Sequence, residues 1–586
     1  MLFSTTFWRT NSEPRCLRQW IRLDFLKDPG PEAELVLSPV KIRNPVVSSK
    51  TSKGRRAPVS RQSYLSPIEG PELVFGLVGP IGTDMNFVSE TLSNELSKVR
   101  YRCCEIKVSK LLHDIPEFAD LPDAPAEKRY NAHMDAGNKV RKKFETGDAL
   151  ALLAVAAIRQ KRKSLTGSRG SPSPYTAYLL NQFKHPKEIH TLRKVYGTGF
   201  ILIAAYSSRE IRLNALARKI SEDHFRQRSD GYCRSEAQKL ISRDQSEEDD
   251  KFGQNVRETF PLGDVFIDVE KKELTRLALA RFVEAYFGYP FHTPTRDEFG
   301  IYVARAVSLR SADLSRQVGA AVLSQTGEVL SIGCNEVPRS GGGQYWENDA
   351  DDLRDYKLGY DPSAKIRNQM LAEVLFRLNA KKWLVEKKFG GNTDKLLAKA
   401  QPVMRGVQLM DVLEFGRIVH GEMAAISDAA RLGISLKDGT LYSTTFPCHI
   451  CARHIVASGI SRVVYIEPYP KSMAAELYPD SIEVEGDKKN SGNFVKFEPF
   501  IGIAPKRYAE LFRMRERKEK KGRVIVWKAR KSEPVLERLV PAYLYIETAV
   551  VHSLSDYLRP GGRRNKIRVG KKHDRLQRIK KRLAKS

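Results

Sequence analysis

The chain of 586 residues has no uncharged apolar run close to the roughly 18 residues that a membrane-spanning helix requires. Its first residues also lack the pattern of a secretory signal, in which a basic segment precedes an apolar segment and a small-residue cleavage site. These two absences predict a protein without a membrane span, and we expect it to be cytoplasmic.

Cysteine is scarce, with 7 residues in the whole chain. An odd number at this low density argues against the disulfide scaffolds that stabilise small secreted domains. It favours a reducing compartment, in which closely spaced thiols more often bind a metal ion than each other. Cys448 and Cys451, which two residues separate, are therefore candidate metal ligands.

Acidic residues are outnumbered, with 70 Asp and Glu against 99 Lys and Arg, and the net charge is +29. Such an excess attracts phosphate groups on nucleotides or on nucleic acid. The basic residues are dense at 513–523 and from Arg563 onward, where Asp574 is the single acidic residue. Two interpretations of the final stretch stay open: contact with RNA or another polyanion, and a solvating tail.

The length of the chain predicts two or three domains. Residues 1–66 are expected to form a poorly ordered leader, because 48–63 are rich in Ser, Lys and Arg and poor in apolar residues. Buried strands are predicted at 72–79, 199–206 and 264–269, and a glycine-containing turn and a helix follow the first of them. These elements predict a doubly wound parallel-sheet domain at 67–270, with the charged residues 222–258 as a loop or lid.

A second α/β domain is predicted at 271–510. Helices are expected at 299–309, 422–432 and 448–458, and strands at 318–323, 329–333, 439–445 and 462–467, of which the first two form a hairpin. The polar stretch at about 341–405 is predicted to be an insertion, and 511–586 a basic C-terminal extension. The fold class is therefore α/β in both domains.

The most specific pattern is His420-Gly421-Glu422 followed by Pro447-Cys448 and Cys451. This H-x-E…P-C-x-x-C arrangement is typical of zinc-dependent hydrolytic deaminases of nucleobases. A catalytic zinc ion takes three protein ligands and keeps a fourth position for water, which predicts His420, Cys448 and Cys451 as the ligands. Glu422 is then placed to carry a proton from that water to the base and to the leaving ammonia.

This pattern has two other interpretations. In the first, His420 and both cysteines are ordinary buried residues; the complete pattern at two predicted helix starts argues against it. In the second, the zinc ion is structural and takes a fourth protein ligand, for which His449 and His454 are the nearby candidates. His449 lies between the cysteines, where we expect it to point away, and His454 is about one helical turn further on.

At these residues the sequence resembles the deoxycytidylate deaminase family, which has the α/β/α cytidine deaminase-like fold. The likeness extends to residues 308–313 (SLRSAD), 317–320 (QVGA), 333–338 (GCNEVP) and 442–448 (YSTTFPC). It implies substrate-binding roles for Asn335, Arg310, Ser311 and Gly421, with Asn335 at the sugar and base. Gly421 stands where the family usually has alanine, and its backbone N–H is expected to serve the base carbonyl. The family commonly forms oligomers, so a homo-oligomer is expected.

The whole chain is similar to bacterial anti-phage deaminases that join an N-terminal P-loop, kinase-like domain to a C-terminal deaminase. The similar segments are 76–84 (GLVGPIGTD), 178–186 (YLLNQFKHP) and 252–260 (FGQNVRETF). This resemblance implies deamination of dCTP and dCMP, which drains dCTP during infection. It also implies a possible regulatory RNA as a partner, which would suit the basic composition.

The glycine turn after the first strand departs from a working phosphate-binding loop. Such a loop has the pattern G-x-x-x-x-G-K-[ST], whereas here Thr83-Asp84 follows Gly82. Without the lysine we expect no phosphoryl transfer. Nucleotide binding through Gly76, Gly79, Gly82 and Thr83, as a sensor or regulatory platform, stays open beside a purely structural role.

Three functions are consistent with these features. The first is deamination of a free deoxycytidine nucleotide, in phage defence or in ordinary pyrimidine metabolism. The second is editing of cytosine or adenine in tRNA or single-stranded DNA by the same zinc chemistry, which the basic tail favours. The third is a non-catalytic RNA- or nucleotide-binding module, against which the complete ligand set and Glu422 argue. The segments around Arg310 and Asn335 favour the first.

Overall fold

The structure is a computed structural model that describes residues 69–247, 250–385, 392–404, 407, 410, 415–469, 471–484, 493–535 and 543–558. These residues all belong to one compact unit, Leu65–Ser586. The predicted leader at 1–66 and the basic stretch from Arg563 onward lie outside the described residues, as do parts of the predicted insertion.

Helices and strands alternate along most of the chain. The strands are β1 (Leu73–Val78), β2 (Arg102–Lys107), β3 (Thr176–Asn181), β4 (Phe200–Tyr206), β5 (Val265–Asp268), β6 (Gly319–Leu323), β7 (Val329–Cys334), β8 (Thr440–Thr445), β9 (Arg462–Glu467), β10 (Ile482–Val484), β11 (Val495–Pro499) and β12 (Gly502–Ile503). The helices are α1 (Met85–Lys98), α2 (Ala126–Lys143), α3 (Ala149–Thr166), α4 (Pro186–Tyr196), α5 (Arg209–Asp223), α6 (Asp230–Gln245), α7 (Val256–Thr259), α8 (Lys272–Tyr286), α9 (Arg296–Ser308), α10 (Asp355–Leu358), α11 (Pro362–Ala380), α12 (Thr393–Val403), α13 (Gly421–Leu432), α14 (His449–Ala457), α15 (Ala474–Leu477), α16 (Pro505–Phe512) and α17 (Tyr543–Leu558).

The first sheet has the strand order β12-β5-β4-β1-β3-β2, and β1 to β5 are mutually parallel. Every residue of β1 and β3 is buried, because helices cover both faces of the sheet. α1 and α8 pack on one face, where Leu92, Leu279 and Phe282 share a core with β1. The predicted parallel α/β arrangement of this region is therefore confirmed.

Two details of the first region differ from the sequence prediction. Residues 230–245, expected to form part of a loop or lid, form helix α6, because Cys233, Ala237, Leu240 and Ile241 bury one side of it against α2 and α5. Helix α8 packs on the first sheet, so the helical layer of this sheet continues to Tyr286, beyond the expected boundary at 270.

The second sheet has the order β10-β11-β9-β8-β6-β7. β6 and β7 form the predicted antiparallel hairpin, and β8, β9, β11 and β10 continue the sheet in parallel. α13 packs on β7 and β6 and α9 packs on β6 and β8, which gives the sheet helices on both faces. The parallel part of this sheet carries the N-termini of the following helices to one edge.

The chain returns to the first sheet after the second is complete. β12 pairs antiparallel with β5, with Gly502 opposite Phe266. α17 then packs on α3 and α4 of the first region, and α16 packs on both α8 of the first region and α9 of the second. Phe266 and Phe500 contact each other edge to face at 5.7 Å, inside a core that also contains Tyr442 and Val464 of the second sheet. The two sheets therefore share a continuous apolar core.

A buried ion cluster fixes α17 to the first region. The Arg162 guanidinium, which is fully buried, lies 2.9 Å from Glu72 and 2.6 Å from Glu547. Hydroxyls of Tyr178 and Tyr543 donate to Glu72, so the carboxylates are also hydrogen-bonded. Among the described residues, no helix has both the length and the apolar character needed to cross a membrane.

Candidate active site

The N-termini of α13 and α14, which pack beside the second sheet, lie close together. His420 is the N-cap residue of α13, and Cys448 is the N-cap residue of α14. The first turn of a helix has free N–H groups and carries a partial positive charge. Both helix ends therefore favour a thiolate between them, and the Cys451 backbone N–H lies 3.5 Å from the Cys448 sulfur.

The side chains of His420, Cys448 and Cys451 converge. The His420 Nδ1 atom lies 3.3 Å from the Cys448 sulfur and 3.4 Å from the Cys451 sulfur, and the two sulfurs are 3.6 Å apart. A tetrahedral zinc ion at about 2.3 Å from sulfur and 2.0 Å from nitrogen holds its ligand atoms roughly 3.5–3.8 Å apart. The three residues therefore fit a zinc ion, and in the described part of the chain neither His449 nor His454 joins this group.

The electrostatics of this group favour a metal ion. Hydrogen bonds with Cys451 and His420 lower the pKa of the Cys448 thiol, so this sulfur is the thiolate of the pair. One thiolate, one further thiol and one imidazole nitrogen all offer lone pairs toward the same point. A soft divalent cation is the partner that such a donor set requires.

Glu422 lies next to this group in the first turn of α13. Its side chain is 3% exposed, and its Oε2 atom is 3.4 Å from the Cys451 sulfur. The Ser443 hydroxyl on β8 donates to its Oε1 atom at 2.9 Å, which fixes the orientation of the carboxylate. Burial raises the pKa of Glu422, so its carboxylate is a stronger proton acceptor than a solvated one.

Asn335 connects the end of β7 to the start of α13. Its Oδ1 atom accepts a hydrogen bond from the Gly421 backbone N–H at 2.9 Å, and its Nδ2 donates to Asp313 at 3.1 Å. The Gly421 N–H, which is expected to serve a base carbonyl, donates to Asn335 in this structure. A base carbonyl would compete with the Asn335 amide for it.

Arg310 and Ser311 are the other two residues expected to bind the substrate. The Arg310 guanidinium stacks 3.8 Å from the Trp346 ring and donates to the carbonyls of Gln344 and Tyr345. The Ser311 hydroxyl is buried and accepts from the Asp313 backbone N–H at 3.2 Å. In this structure both residues hold the loops around Asn335, and within the described part of the chain no hydrogen bond joins either of them to His420, Cys448 or Cys451.

Three polar residues near the site had escaped the sequence reasoning: Ser443, Asp313 and Glu336. Glu336, 1% exposed, accepts from the Ala312 and Val337 backbone N–H groups and lies 3.8 Å from Arg354. Ser443 could have been suspected, because a polar residue inside a buried strand normally has a specific partner. The partners of Asp313 and Glu336 depend on loop geometry that spacing does not reveal.

Residues 294–467 match the family model described as the cytidine and deoxycytidylate deaminase zinc-binding region. The deoxycytidylate deaminase of enterobacteria phage T4 is 30% identical over 172 residues, which are 29% of this chain and 78% of that enzyme. The chain belongs to the deoxycytidylate deaminase family. The family predicted from the residues around His420 and Cys448 is therefore confirmed, and the protein is a hydrolytic deaminase.

Other similar proteins match over shorter or more divergent stretches. A probable deoxycytidylate deaminase of Drosophila melanogaster is 38% identical over 87 residues, 14% of this chain and 42% of that protein. Among solved structures, the dCMP deaminase of cyanophage S-TIM5 in complex with dCMP and dUMP is 16% identical, with a TM-score of 0.20 over 36% of this chain and 100% of that chain.

The first sheet of this deaminase carries the second group of predicted site residues, at the glycine turn after β1. Gly76 differs from the prediction: it lies inside β1, where an added Cβ would meet the Phe200 ring at 2.7 Å, so it serves packing. Gly82, at φ +91°, has the Arg212 backbone carbonyl 2.8 Å from the place of a Cβ, so glycine is required there. Gly79 and Thr83 do lie on the turn.

Proposed function

We propose that this chain hydrolyses the exocyclic amine of a deoxycytidine nucleotide, dCMP or dCTP, to give the deoxyuridine nucleotide and ammonia. The observation that carries the proposal is the position of the buried Glu422 carboxylate, 3.4 Å from the Cys451 sulfur and beside His420 and Cys448. The family assignment and the deoxycytidylate deaminase names of its relatives support this substrate class.

Each residue of the candidate active site has a distinct role in this reaction. His420, Cys448 and Cys451 would hold a zinc ion, which when bound would make a water molecule acidic enough to ionise near neutral pH. Glu422 would accept one proton of this water and deliver it to N3 of the cytosine ring as the C4–O bond forms. It would then take the remaining proton from the new C4 hydroxyl and deliver it to the amine, so that the carbonyl forms as the C–N bond breaks and ammonia leaves. Ser443 keeps the carboxylate in place throughout. Asn335 and Gly421 border the base, and Arg310 and Ser311 shape the loop beside it.

A substrate panel tests this proposal. The full-length protein is incubated with dCMP, dCTP, CTP, cytidine and single-stranded DNA, and ammonia and uracil-containing products are measured. We expect turnover of dCMP or dCTP, and a loss of about 10²- to 10⁴-fold in kcat for Glu422→Gln with unchanged zinc content. Turnover of DNA alone would instead establish the polynucleotide-editing function. The matched control is Glu476→Gln on α15, an exposed carboxylate outside the site.

A role in phage defence is the finer part of the proposal. The similarity of residues 76–84, 178–186 and 252–260 to anti-phage deaminases supports it. Phage plating and dCTP pools are compared in cells that carry the wild-type chain and the Glu422→Gln variant. We expect fewer plaques and a smaller dCTP pool with the wild type. Turnover of dCMP but not dCTP, with equal plating, would instead indicate ordinary pyrimidine metabolism.

A regulatory RNA and a homo-oligomer are the proposed partners. The net charge of +29 supports contact with a polyanion. The substrate panel is therefore repeated with and without added cellular RNA, and the molar mass is measured by light scattering. Inhibition by RNA that weakens as the salt concentration rises is the expected result, and equal rates at all RNA concentrations would remove this partner.

A further inference from the structure

The glycine turn after β1 already holds an anion, and this anion belongs to the chain. The Ile81 backbone N–H donates to the Oδ2 atom of Asp244 at 2.7 Å, and the carboxylate is 1% exposed. Lys184 lies 2.8 Å from the other oxygen of this carboxylate and donates to the Gly79 carbonyl at 2.9 Å. Asp244 therefore reaches the turn from α6, a helix 163 positions further along the chain.

A turn between a parallel strand and a helix is a place where proteins bind phosphate, because its N–H groups point at one spot and the helix end is positive. Helix α1 begins at this turn. The Thr83 hydroxyl oxygen is buried beside it and has no hydrogen-bond partner among the described residues. Here a carboxylate, a lysine ammonium and a backbone N–H replace the interactions that a phosphate would make.

Asp84, which with Thr83 follows Gly82 where a working loop has Lys-[ST], has a structural role. Its Oδ1 atom accepts a hydrogen bond from the Phe87 backbone N–H at 3.1 Å and caps α1. The negative charge that occupies the turn is that of Asp244. Lysine is also present, but it comes from Lys184 after β3 instead of from the turn itself.

We propose that the glycine turn is a binding site for the phosphates of a nucleotide that Asp244 holds closed, and that the C-terminal end of α6 must move away before phosphate binds. The function of this site is separate from the proposed deaminase chemistry. Removal of the Asp244 charge is sufficient to open it, because a carboxylate and a phosphate repel each other strongly at this distance.

The contacts of α6 suit a movable element. Its end is held to α2 by polar groups: Arg243 donates to Asn131 at 2.9 Å and to Asp135 at 2.5 Å, and Asp135 is 59% exposed. Arg243 itself is 22% exposed, so this ion pair is partly solvated and contributes modestly to stability. The apolar contacts of α6, through Cys233, Ala237, Leu240 and Ile241, end about one helical turn before Asp244. The last turn, which carries Asp244, can therefore open while the helix up to Ile241 stays packed.

Binding by the full-length protein tests the proposal. The affinities of the wild type, Asp244→Asn and Asp230→Asn for ATP, dCTP and inorganic tripolyphosphate are measured by equilibrium dialysis. Asp230 lies in the first turn of α6, is exposed, and gives the same change of charge away from the turn. We expect Asp244→Asn to bind a nucleotide at least about tenfold more tightly than the other two proteins. Tripolyphosphate that binds as tightly as ATP would support a site for the phosphates alone.

Equal affinities of the wild type and Asp244→Asn, or no binding by either at millimolar ligand, would overturn the proposal. Hydrogen exchange on the wild-type protein gives a second test that needs no substitution at a buried position. Saturating ATP is expected to speed the exchange of amides near the end of α6. If ATP binds and this exchange does not change, the end of α6 does not move when phosphate binds, and the proposal is wrong. Both measurements are repeated in the Glu422→Gln protein, in which the turn should behave identically whether or not the deaminase proposal holds.

Discussion

The glycine turn of the first sheet and the His420 group of the second are both polar centres at helix N-termini, but their compositions differ. At the turn, opposite charges meet, since Asp244 lies between the Lys184 ammonium and the Ile81 N–H. At the second centre, groups of one kind converge, since Cys448, Cys451 and His420 all offer lone pairs. A centre of opposite charges is satisfied by the chain alone, whereas a centre of like donors requires a cation from outside.

Removal of the metal should have the largest effect and should act on one centre alone. Dialysis against a strong zinc chelator is expected to abolish deamination, and added Zn²⁺ but not Mg²⁺ should restore it, because thiolate and imidazole ligands select soft cations. Ammonia release and metal content per chain are the measurements. Full activity in protein shown to contain no metal would contradict the assignment of the ligands.

Lys184→Met should lower the free energy of unfolding substantially without lowering the deaminase activity of the folded protein. The substitution leaves the buried Asp244 carboxylate without its cation, which costs about 3 kcal/mol in the free energy of unfolding. Denaturant unfolding measures this loss, and kcat per folded molecule should not change. Lys239→Met removes an exposed ammonium from α6 and is the control, for which we expect little change.

The double variant Lys184→Met/Asp244→Asn tests whether the Lys184 ammonium and the Asp244 carboxylate stabilise each other. It should recover a substantial part of the stability lost in Lys184→Met, because no unpaired charge is left in the turn. Additive losses from the two substitutions would show that the carboxylate and the ammonium do not stabilise each other.

Asp313→Asn should have a smaller effect, confined to the second centre. The Asp313 carboxylate accepts from Asn335 Nδ2 at 3.1 Å and so holds the other end of the amide toward Gly421. The neutral amide can still accept this hydrogen bond, so we expect kcat/KM to fall about tenfold at most, which is about 1.4 kcal/mol. Zinc content should stay constant. Asp428→Asn, further along α13, is the control and should leave kcat/KM unchanged.

Gly421→Ala should have the smallest effect. An added Cβ would lie 3.2 Å from the Val318 carbonyl and 3.3 Å from the Gly333 carbonyl, which small shifts can accommodate. We expect kcat/KM within about twofold of the wild type and a loss of stability below about 1 kcal/mol. Gly333→Ala is the contrasting variant, since its Cβ would lie 2.3 Å from the Gly421 carbonyl and 2.4 Å from the Ala425 nitrogen. It should be strongly destabilised, and equal Tm values for the two variants would contradict this packing.

The two centres also differ in how much of them the sequence could predict. Cys448 and Cys451 are three positions apart and His420 starts the preceding helix, so local spacing and helix starts were sufficient to group them. Asp244 and Ile81 are 163 positions apart, and no local pattern joins them. The parallel sheet and the β6–β7 hairpin were predictable for the same reason as the metal ligands, because their signals lie within single elements.

In helix α6, the many charged residues hide the helical spacing of its apolar residues. Charged residues dominate its surroundings, and this composition suggested a loop, yet Cys233, Ala237, Leu240 and Ile241 recur at helical spacing and are buried. The return of the chain to the first sheet could not be inferred in this way. β12 has two residues, Gly502 and Ile503, and its place beside β5 depends on the whole intervening domain.

This return has a consequence for the order in which the protein is made. A chain that leaves the ribosome from its N-terminus exposes β1 to β5 early, but the edge of their sheet stays open beside β5 until Gly502 and Ile503 emerge. Arg162 meets Glu72 early and Glu547 only after 385 further residues have been synthesised. The first region to be translated is therefore completed last, and a nascent chain interrupted after the deaminase sheet would carry both an unpaired strand edge and an unfinished buried ion cluster, which are the features by which quality-control proteases and chaperones select incomplete proteins.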